Sequence, residues 1–279
     1  MATSDAATEA EPAKKRESRG ISHVGGDFRI SDLTISIGDD GQPSMGAPRV
    51  EMRTEMWPFW LEEAIEAAAL AAEIASNIPG TLAELEAGGD SAEAADERLR
   101  ALAIRELRAT MRAIAASAFA IDAFYASVKA RSPEHPQQGT WKANGTARHK
   151  QVVETFRFHL RISNRDEVKR VKSIVRQLFQ FRDWAVHPGA KYREPVYRPD
   201  LNASYDWHFT AFCRDNALAA VHEACILLDF LTDALDRGGE GLPGYKAFAR
   251  PTMNTVLDLY ESHDEFLPMA RHEPSTQID

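Results

Sequence analysis

The chain has 279 residues with 44% hydrophobic and 27% charged side chains, a composition typical of a globular protein whose core needs no metal or disulfide. Its formal net charge of −9 argues against a protein that binds nucleic acid over its whole surface. The charge is uneven, however, because the segment 139–198 carries 14 Lys and Arg against five Asp and Glu. This basic stretch on an acidic body is compatible with nucleic-acid binding. A helix with a solvated basic face explains the same charges, and for charge runs in general this is the more frequent case.

The N-terminal residues and the cysteines indicate a cellular location. Residues 1–20 lack the apolar segment of a signal peptide, and we find no apolar run that approaches the ~18 residues of a membrane span. Cys213 and Cys225 lie on one predicted helix, about 18 Å apart along its axis, which is too far for a disulfide. Free thiols fit a reducing compartment. We therefore expect a soluble, cytoplasmic protein that does not contact a membrane.

The first part of the chain predicts extended structure. Residues 1–26 are polar and without periodicity, so we expect a disordered tail. In the segment 27–56 apolar and polar residues alternate, which predicts an extended segment or a β-hairpin with its turn at Asp39-Asp40-Gly41. The apolar members of this pattern are Phe28, Ile30, Leu33, Ile35 and Ile37, followed by Val50 and Met52.

From Pro58 onward the apolar residues recur with helical periodicity. We expect a mainly α fold, a bundle of five to six helices over residues 57–265, followed by a polar tail at 266–279. The predicted helices cover about 58–77, 91–129, 147–160, 166–186, 209–235 and 252–262. Asn164 or Ser163 can cap the fourth of these helices. The segments 132–146 and 189–207, which contain several Pro and Gly residues, are predicted to be loops.

Most sequence motifs that would carry chemistry are missing. Residues 239–244 match G-x-G-x-x-G by letter, but they follow a helix and contain Pro243, so we interpret them as a helix stop and a loop. There is no P-loop, no H-E-x-x-H and no G-x-S-x-G in the chain. The two cysteines do not form a structural zinc site. We therefore expect neither a cofactor nor a bound metal.

One arginine continues an apolar stripe. Four apolar residues of the fourth predicted helix recur at steps of three and four, and the next step of four reaches Arg182. The four are Val168, Val171, Val175 and Leu178. Arg is almost never buried without a partner, so Arg182 requires a carboxylate, a second subunit or a ligand phosphate.

A histidine follows at the end of the same helix. His187 precedes Pro188, which ends the helix there and places the imidazole at the helix C-terminus, where the dipole favours its protonated form. An Arg that neutralises a phosphate beside a His that moves protons is the combination that phosphodiester cleavage uses.

These residues resemble the HEPN superfamily, whose members are helical bundles with an Arg-polar-x(3–5)-His motif at the end of an inner helix. Arg182, Asp183 and His187 match that motif. The segment 117–124, with Ser117 and Asp122, is similar to a small-polar, acidic and aromatic pattern on the preceding long helix of related domains. The resemblance covers about residues 91–235. It implies Arg182, His187 and Asp183 as catalytic residues, supported by Asp122 and Ser117.

The resemblance also implies an activity and partners. Catalytic HEPN members are metal-independent endoribonucleases, commonly in toxin–antitoxin or phage-defence systems, and they dimerise so that two motifs share one cleft. We accordingly expect RNA, a second copy of the chain and an antitoxin as partners. The substrate would be single-stranded or loop RNA, with the 2′-hydroxyl as internal nucleophile. The expected nucleic-acid-binding residues are Arg157, Arg161, Lys169, Arg176, Lys191 and Arg193.

A structural explanation of the motif stays open. Arg182 can pair with Asp122 or with another acid inside the bundle, and His187 can simply end a helix. The protein would then be a non-catalytic helical interaction or scaffold protein, as some HEPN members are. The discriminating observation is whether the Arg182 side chain is sealed against an internal carboxylate or opens to the surface.

Overall fold

The computed structural model describes residues 25–46, 48–89, 92–187 and 192–269. The chain divides into two compact units, Met1–Thr54 and Glu55–Asp279. The polar tails expected at 1–26 and 266–279 lie for the most part outside the described residues.

The first unit contains an antiparallel β-ribbon, which confirms the predicted hairpin. Strand β1 (Asp27–Ser31) pairs with β4 (Arg49–Arg53), and β2 (Ile35–Ile37) pairs with β3 (Pro43–Met45). The turn lies where it was expected: Gly41 has a φ of +73°, which favours glycine, and its N–H donates to the carbonyl of Gly38 at 2.8 Å.

The second unit is a helical bundle, so the fold is mainly α. Its helices are α1 (Trp57–Ser76), α2 (Ile78–Ala87), α3 (Ala92–Ala130), α4 (Gln138–Ala143), α5 (Arg148–His159), α6 (Arg165–Val186), α7 (Trp207–Ala211), α8 (Arg214–Asp233) and α9 (Gly241–Glu261). A short hairpin of β5 (Val196–Arg198) and β6 (Ala203–Tyr205) lies between α6 and α7. In the described part of the chain six helices have 12 residues or more, in agreement with the predicted five to six.

Several predicted boundaries were wrong. Helix α1 ends at Ser76, close to the predicted residue 77, but Pro79 and Gly80 lie in the first turn of a further helix, α2, that was not predicted. Pro is tolerated there because the N–H that it lacks has no partner in the first turn of a helix anyway. Helix α4 occupies part of the loop expected at 132–146. Helix α9 begins at Gly241 and continues through Pro251, although we had expected a loop followed by a helix from residue 252.

Helix α3 is the centre of the bundle. It packs against α1, α2, α5, α6 and α8. Five of its residues that recur at steps of four and three are buried: Ile114, Ala118, Ile121, Tyr125 and Val128. Small side chains on the facing surfaces of α1 and α3 allow these two helices to pack closely, because interaxial distance depends on side-chain size.

Helix α3 also corrects one expectation about membranes. Among the described residues it is long and apolar enough to cross a membrane by length and composition, whereas we had expected no such run. Of the 18-residue stretch of α3 that is apolar enough, 61% is buried inside the protein. The core helix of a water-soluble protein passes the same test, so this observation is weak evidence of a membrane span.

Helices α5 and α6 form an antiparallel pair that carries the sequence motif. The residues between them turn the chain back, with Arg161 in a left-handed conformation at φ +50°. The Asn164 side chain then caps α6, as predicted, by accepting the N–H groups of Asp166 and Glu167 at 2.8 and 3.2 Å. As a result, α5 packs along α6.

Candidate active site

Aromatic packing fixes the C-terminal end of α6. The Trp184 ring contacts Phe181 and Trp207, with centroids 5.0 and 5.5 Å apart. The Arg193 guanidinium lies over the Trp207 ring at 4.4 Å. These contacts hold the last turn of α6 against α7. They therefore fix the backbone of the residues in this turn.

Arg182 lies near the surface. Its backbone continues the buried stripe of α6, and its guanidinium lies over the buried Phe179 ring at 4.5 Å. The side chain is 18% exposed, and its Nε and Nη2 both donate to Oδ1 of Asp183, at 3.2 and 2.8 Å. The Asp183 side chain is itself 57% exposed. Arg182 therefore turns from the core stripe toward an acid at the surface.

His187 is exposed at the end of α6. Its backbone N–H donates to the carbonyl of Asp183 at 2.8 Å, which closes the last turn of the helix. Asp183 and His187 both belong to this last turn, and both are exposed.

Asp122 binds Arg148, whereas the sequence analysis considered Arg182 as its partner. Its Oδ1 accepts Nη2 and Nε of Arg148 at 2.7 and 2.8 Å, and the Arg148 guanidinium lies over the Tyr125 ring at 4.3 Å. These contacts join the first residue of α5 to α3. Asp122 therefore positions the first turn of α5 and does not seal Arg182 inside the bundle.

Ser117 has no exposed surface. Its hydroxyl donates to the carbonyl of Ala113 in the same helix at 2.9 Å. A side chain buried in this way cannot contact a substrate, so the structure does not bring Ser117 to the surface site.

A row of basic side chains runs along α6 toward the motif. Lys169 and Arg176 are exposed on one face of the helix together with Lys172, which the sequence analysis did not select. We call these three residues the α6 basic face. They line a shallow depression of about 320 Å³ with Ser173, Gln177 and Gln180. At helical spacing the same face continues to Gln180, Asp183 and His187.

The other expected RNA contacts are divided between the two ends of α6. Arg157 binds Glu154 at 2.9 Å, and Arg161 lies in the turn before α6. The 22 residues of α6 span about 33 Å, so these two arginines lie far from His187. Arg193 lies near the motif, on Trp207. Lys191 lies outside the described residues.

A second histidine, which lies close to the cations of the α6 basic face, was missed by the sequence analysis. His149, in the first turn of α5, is half-buried. Burial lowers the pKa of its imidazole, the cations of Lys150, Arg176 and Lys172 lower it further, and the Asp183 carboxylate opposes them. His149 is therefore neutral at neutral pH and within electrostatic reach of Asp183. No motif reveals it, because only the pairing of α5 with α6 places it there.

In the part of the chain that the structure describes, no group of three or more His, Cys, Asp or Glu residues is placed to hold a metal ion. Cys213 and Cys225 are both free thiols, and Cys225 is buried.

Comparison with protein-family models, with curated proteins and with solved structures found no match. The HEPN resemblance therefore rests on the motif itself and stays a prediction.

Proposed function

We propose that this protein is a metal-independent endoribonuclease of the HEPN type. The observation that supports it best is the ion pair of Arg182 with the exposed Asp183, at 2.8 Å, one helical turn from the exposed His187. The Asp183 carboxylate is 57% exposed and is strongly solvated when it is released, so a phosphate can take its place on the guanidinium. A guanidinium sealed against an interior acid would not be available in this way.

The proposed reaction uses the RNA 2′-hydroxyl as nucleophile on the adjacent phosphate. The two donors of the Arg182 fork bind the phosphate oxygens and stabilise the charge that develops on them. His187 transfers a proton in the same step, because an imidazole can serve as a general acid or base. Asp183 holds the guanidinium in place until the phosphate arrives.

The α6 basic face guides the RNA backbone toward this end of the helix. Its cations neutralise phosphates, and the neutral side chains of Ser173, Gln177 and Gln180 between them add hydrogen bonds. Exposed Tyr192, close to the motif in sequence, offers a ring on which a base of a single strand or loop can stack.

Three further elements belong to the same proposal: a homodimer that brings two motifs together near α6, an antitoxin partner in a toxin–antitoxin or phage-defence system, and a cytoplasmic location. The homodimer is tested by light scattering at tens of micromolar. We expect twice the chain mass of 31.0 kDa, and a mass of 31.0 kDa would count against a shared cleft.

The alternative is a non-catalytic interaction protein. It is favoured by an apolar groove of about 460 Å³ between α1 and α3, which is lined by the exposed Met56, Phe59 and Trp60 and by Phe119. Apolar surface of this kind is common at protein–protein interfaces. In that case the Arg182–Asp183 pair would only stabilise the end of α6.

An RNA-cleavage assay separates the two functions. We expect the wild type to cut RNA with and without a chelator, and His187→Ala to bind RNA but not to cut it. His263, which lies beyond α9, provides a control, and His263→Ala should cut normally. Normal cleavage by His187→Ala, or cleavage abolished by EDTA, would refute this mechanism. Inactivity of the wild type on all RNAs tested would favour the interaction protein.

A further inference from the structure

We propose that the outer face of α1 and α3 is an interface between two copies of this chain, in which α1 of each copy packs over α3 of the other. The apolar centre of this face is the groove of about 460 Å³ between the two helices. The inference goes beyond the ribonuclease function and does not depend on it, because none of the residues that support it belongs to the α6 basic face or to the motif.

The groove is formed by matching stripes of the two helices. On each helix the lining residues recur at steps of three and four: Met56, Phe59, Trp60 and Glu63 on α1, and Arg112, Ala115, Ala116 and Phe119 on α3. A stripe with this spacing is the face that a helix buries against a neighbour. The three large apolar side chains of the α1 stripe are between 37% and 46% exposed. Exposed apolar surface of this kind marks an interaction site.

Contacts across the groove show how the two helices are oriented. The Trp60 ring of α1 contacts Phe119 of α3, with centroids 5.1 Å apart. One turn later in α1, Glu63 binds Arg112 of α3 at 2.7 Å. Residue numbers therefore rise along α1 where they fall along α3, and the two helices are antiparallel.

The two helices carry opposite charges on this face. Helix α1 contains four Glu residues and no Lys or Arg, and its Glu66 is exposed. On α3, Arg108 and Arg105 are exposed one and two turns before Arg112. Within the described part of the chain no ion pair engages Glu66, Arg105 or Arg108. Burial and the neighbouring Glu66 carboxylate raise the pKa of Glu62, so the acids of α1 crowd one another and favour a nearby cation.

These charges select one of the two ways in which a twofold axis can stack the faces. With the axis across the helices, α1 packs on α1 of the other copy and like charges meet, which costs free energy. With the axis along the helices, α1 packs on α3 of the other copy at the same level. Glu66 lies about one turn beyond Glu63, and Arg108 about one turn beyond Arg112, so each Glu66 then meets an Arg108 of the other copy. The symmetry forms this ion pair twice.

The size of the face sets the concentration at which the interface forms. Eight residues line the groove, whereas a standard interface has about 20–30 residues on each side, so we expect weak association at hundreds of micromolar. The dimer near α6 is tested at tens of micromolar, below this range. Light scattering of the wild type at hundreds of micromolar should therefore give about twice the mass found at tens of micromolar.

Charge reversal tests the arrangement. Glu66→Arg and Arg108→Glu each place like charges at both contacts, so each variant alone should have a dissociation constant at least about tenfold higher. A mixture of the two variants should regain wild-type association, because both contacts of the mixed dimer again join opposite charges. The two reversals change the formal net charge of −9 in opposite directions, so a general charge effect cannot weaken association in both.

The control is Asp264→Arg, which makes a matching charge change at an exposed position beyond α9 and should associate like the wild type. Glu and Arg have similar helix propensities, so both reversals should keep the wild-type melting temperature. RNA cleavage should not change in either variant, which separates this interface from the proposed function. A wild-type mass that stays constant from tens to hundreds of micromolar would refute the interface. Undiminished association of both single variants, or a mixture that does not recover, would refute the packing of α1 over α3.

Discussion

Arg198 donates to the Glu106 carboxylate at 2.8 Å in the interior of the helical unit, where the two side chains are 6% and 1% exposed. The same carboxylate accepts the backbone N–H of Arg214 at 2.8 Å. Glu106 thus joins three parts of the fold: α3, the β5–β6 hairpin and the first residue of α8. The hairpin follows α6 in the chain, so this anchor also helps to fix the surroundings of the candidate site.

We predict that Glu106→Ala lowers the free energy of unfolding by at most about 3–5 kcal/mol, because it removes the buried carboxylate from Arg198 and from the Arg214 N–H and leaves Arg198 with the half-exposed Asp200 carboxylate. Urea unfolding of the purified variant measures the change. Glu84→Ala is the matched control, since the ion pair of Glu84 with Arg98 is exposed and should contribute at most about 1 kcal/mol. If Glu106→Ala and Glu84→Ala lowered the free energy of unfolding equally, the buried position of Glu106 would not make its ion pair more important than an exposed one.

The second prediction concerns His135 and His159, which are both buried, with ring centroids 5.8 Å apart. His135 also stacks on Trp141 of α4 at 4.5 Å. Burial lowers the pKa of both imidazoles, and the Arg157 cation lowers that of His135 further, against the Glu154 carboxylate. Both side chains therefore stay neutral in the folded protein under conditions in which the unfolded chain takes up protons.

Because the unfolded chain binds more protons below about pH 6.5, stability is complete above that pH and falls as the pH drops below it. Thermal melting across this range measures the effect. We expect the double variant His135→Gln/His159→Gln to have a flatter pH dependence than the wild type. His263→Gln, outside this cluster, should leave the slope as it is. If the double variant lost stability with falling pH as steeply as the wild type, groups other than His135 and His159 would cause the pH dependence.

Features of the fold that depend on local sequence were predictable. The α6 cap at Asn164, the end of that helix before Pro188 and the turn at Gly41 each follow from the conformational preference of one or two residues. The short helices were not predictable in this way. Helix α4 is held by Trp141, which stacks on His135, and the His135 ring in turn contacts Phe158 and His159 of α5. Such tertiary contacts override the weak helix propensity of six residues.

The candidate site was predictable only in part, for the same reason. Arg182, Asp183 and His187 are close in sequence, so a motif identifies them. The place of His149 depends on how α5 packs on α6, and the partner of Asp122 depends on how α5 packs on α3. Neither packing contact leaves a pattern within one segment of the chain. Ser117 fits the small-polar position of the HEPN-like pattern, but its side chain is on the buried face of α3.

The third prediction tests Asp122 as a positioning residue. Asp122→Ala releases Arg148 and thereby loosens the first turn of α5, so RNA cleavage should fall. Stability should change by less than about 1 kcal/mol, since this ion pair is partly exposed. Glu63→Ala breaks a comparably exposed pair with Arg112 between α1 and α3 and should not affect cleavage. Wild-type cleavage rates in Asp122→Ala would refute the positioning role.

The fourth prediction concerns the geometry of phosphate binding. Arg182→Lys keeps the positive charge but loses the two parallel donors of the guanidinium, so we expect cleavage to fail although RNA still binds. Kinetics over a range of RNA concentrations separate kcat from KM. A variant that retains the wild-type kcat would mean that a point charge suffices and that the fork has no part in the reaction. The melting temperature serves as control, because the Asp183 pair near the surface contributes little to stability.

The last prediction concerns the α6 basic face. Each cation that neutralises a phosphate releases counterions, so the logarithm of RNA affinity should fall linearly with the logarithm of salt concentration. Lys172→Ala and Arg176→Ala should each weaken binding and reduce that slope by about 1. Arg157→Ala is the matched control, since the Arg157 guanidinium is engaged by Glu154 at the far end of the α5–α6 pair. If all three variants reduce the slope equally, RNA covers the whole helical pair. If none of them reduces it, the basic face is only solvated, and RNA must reach His187 along another surface.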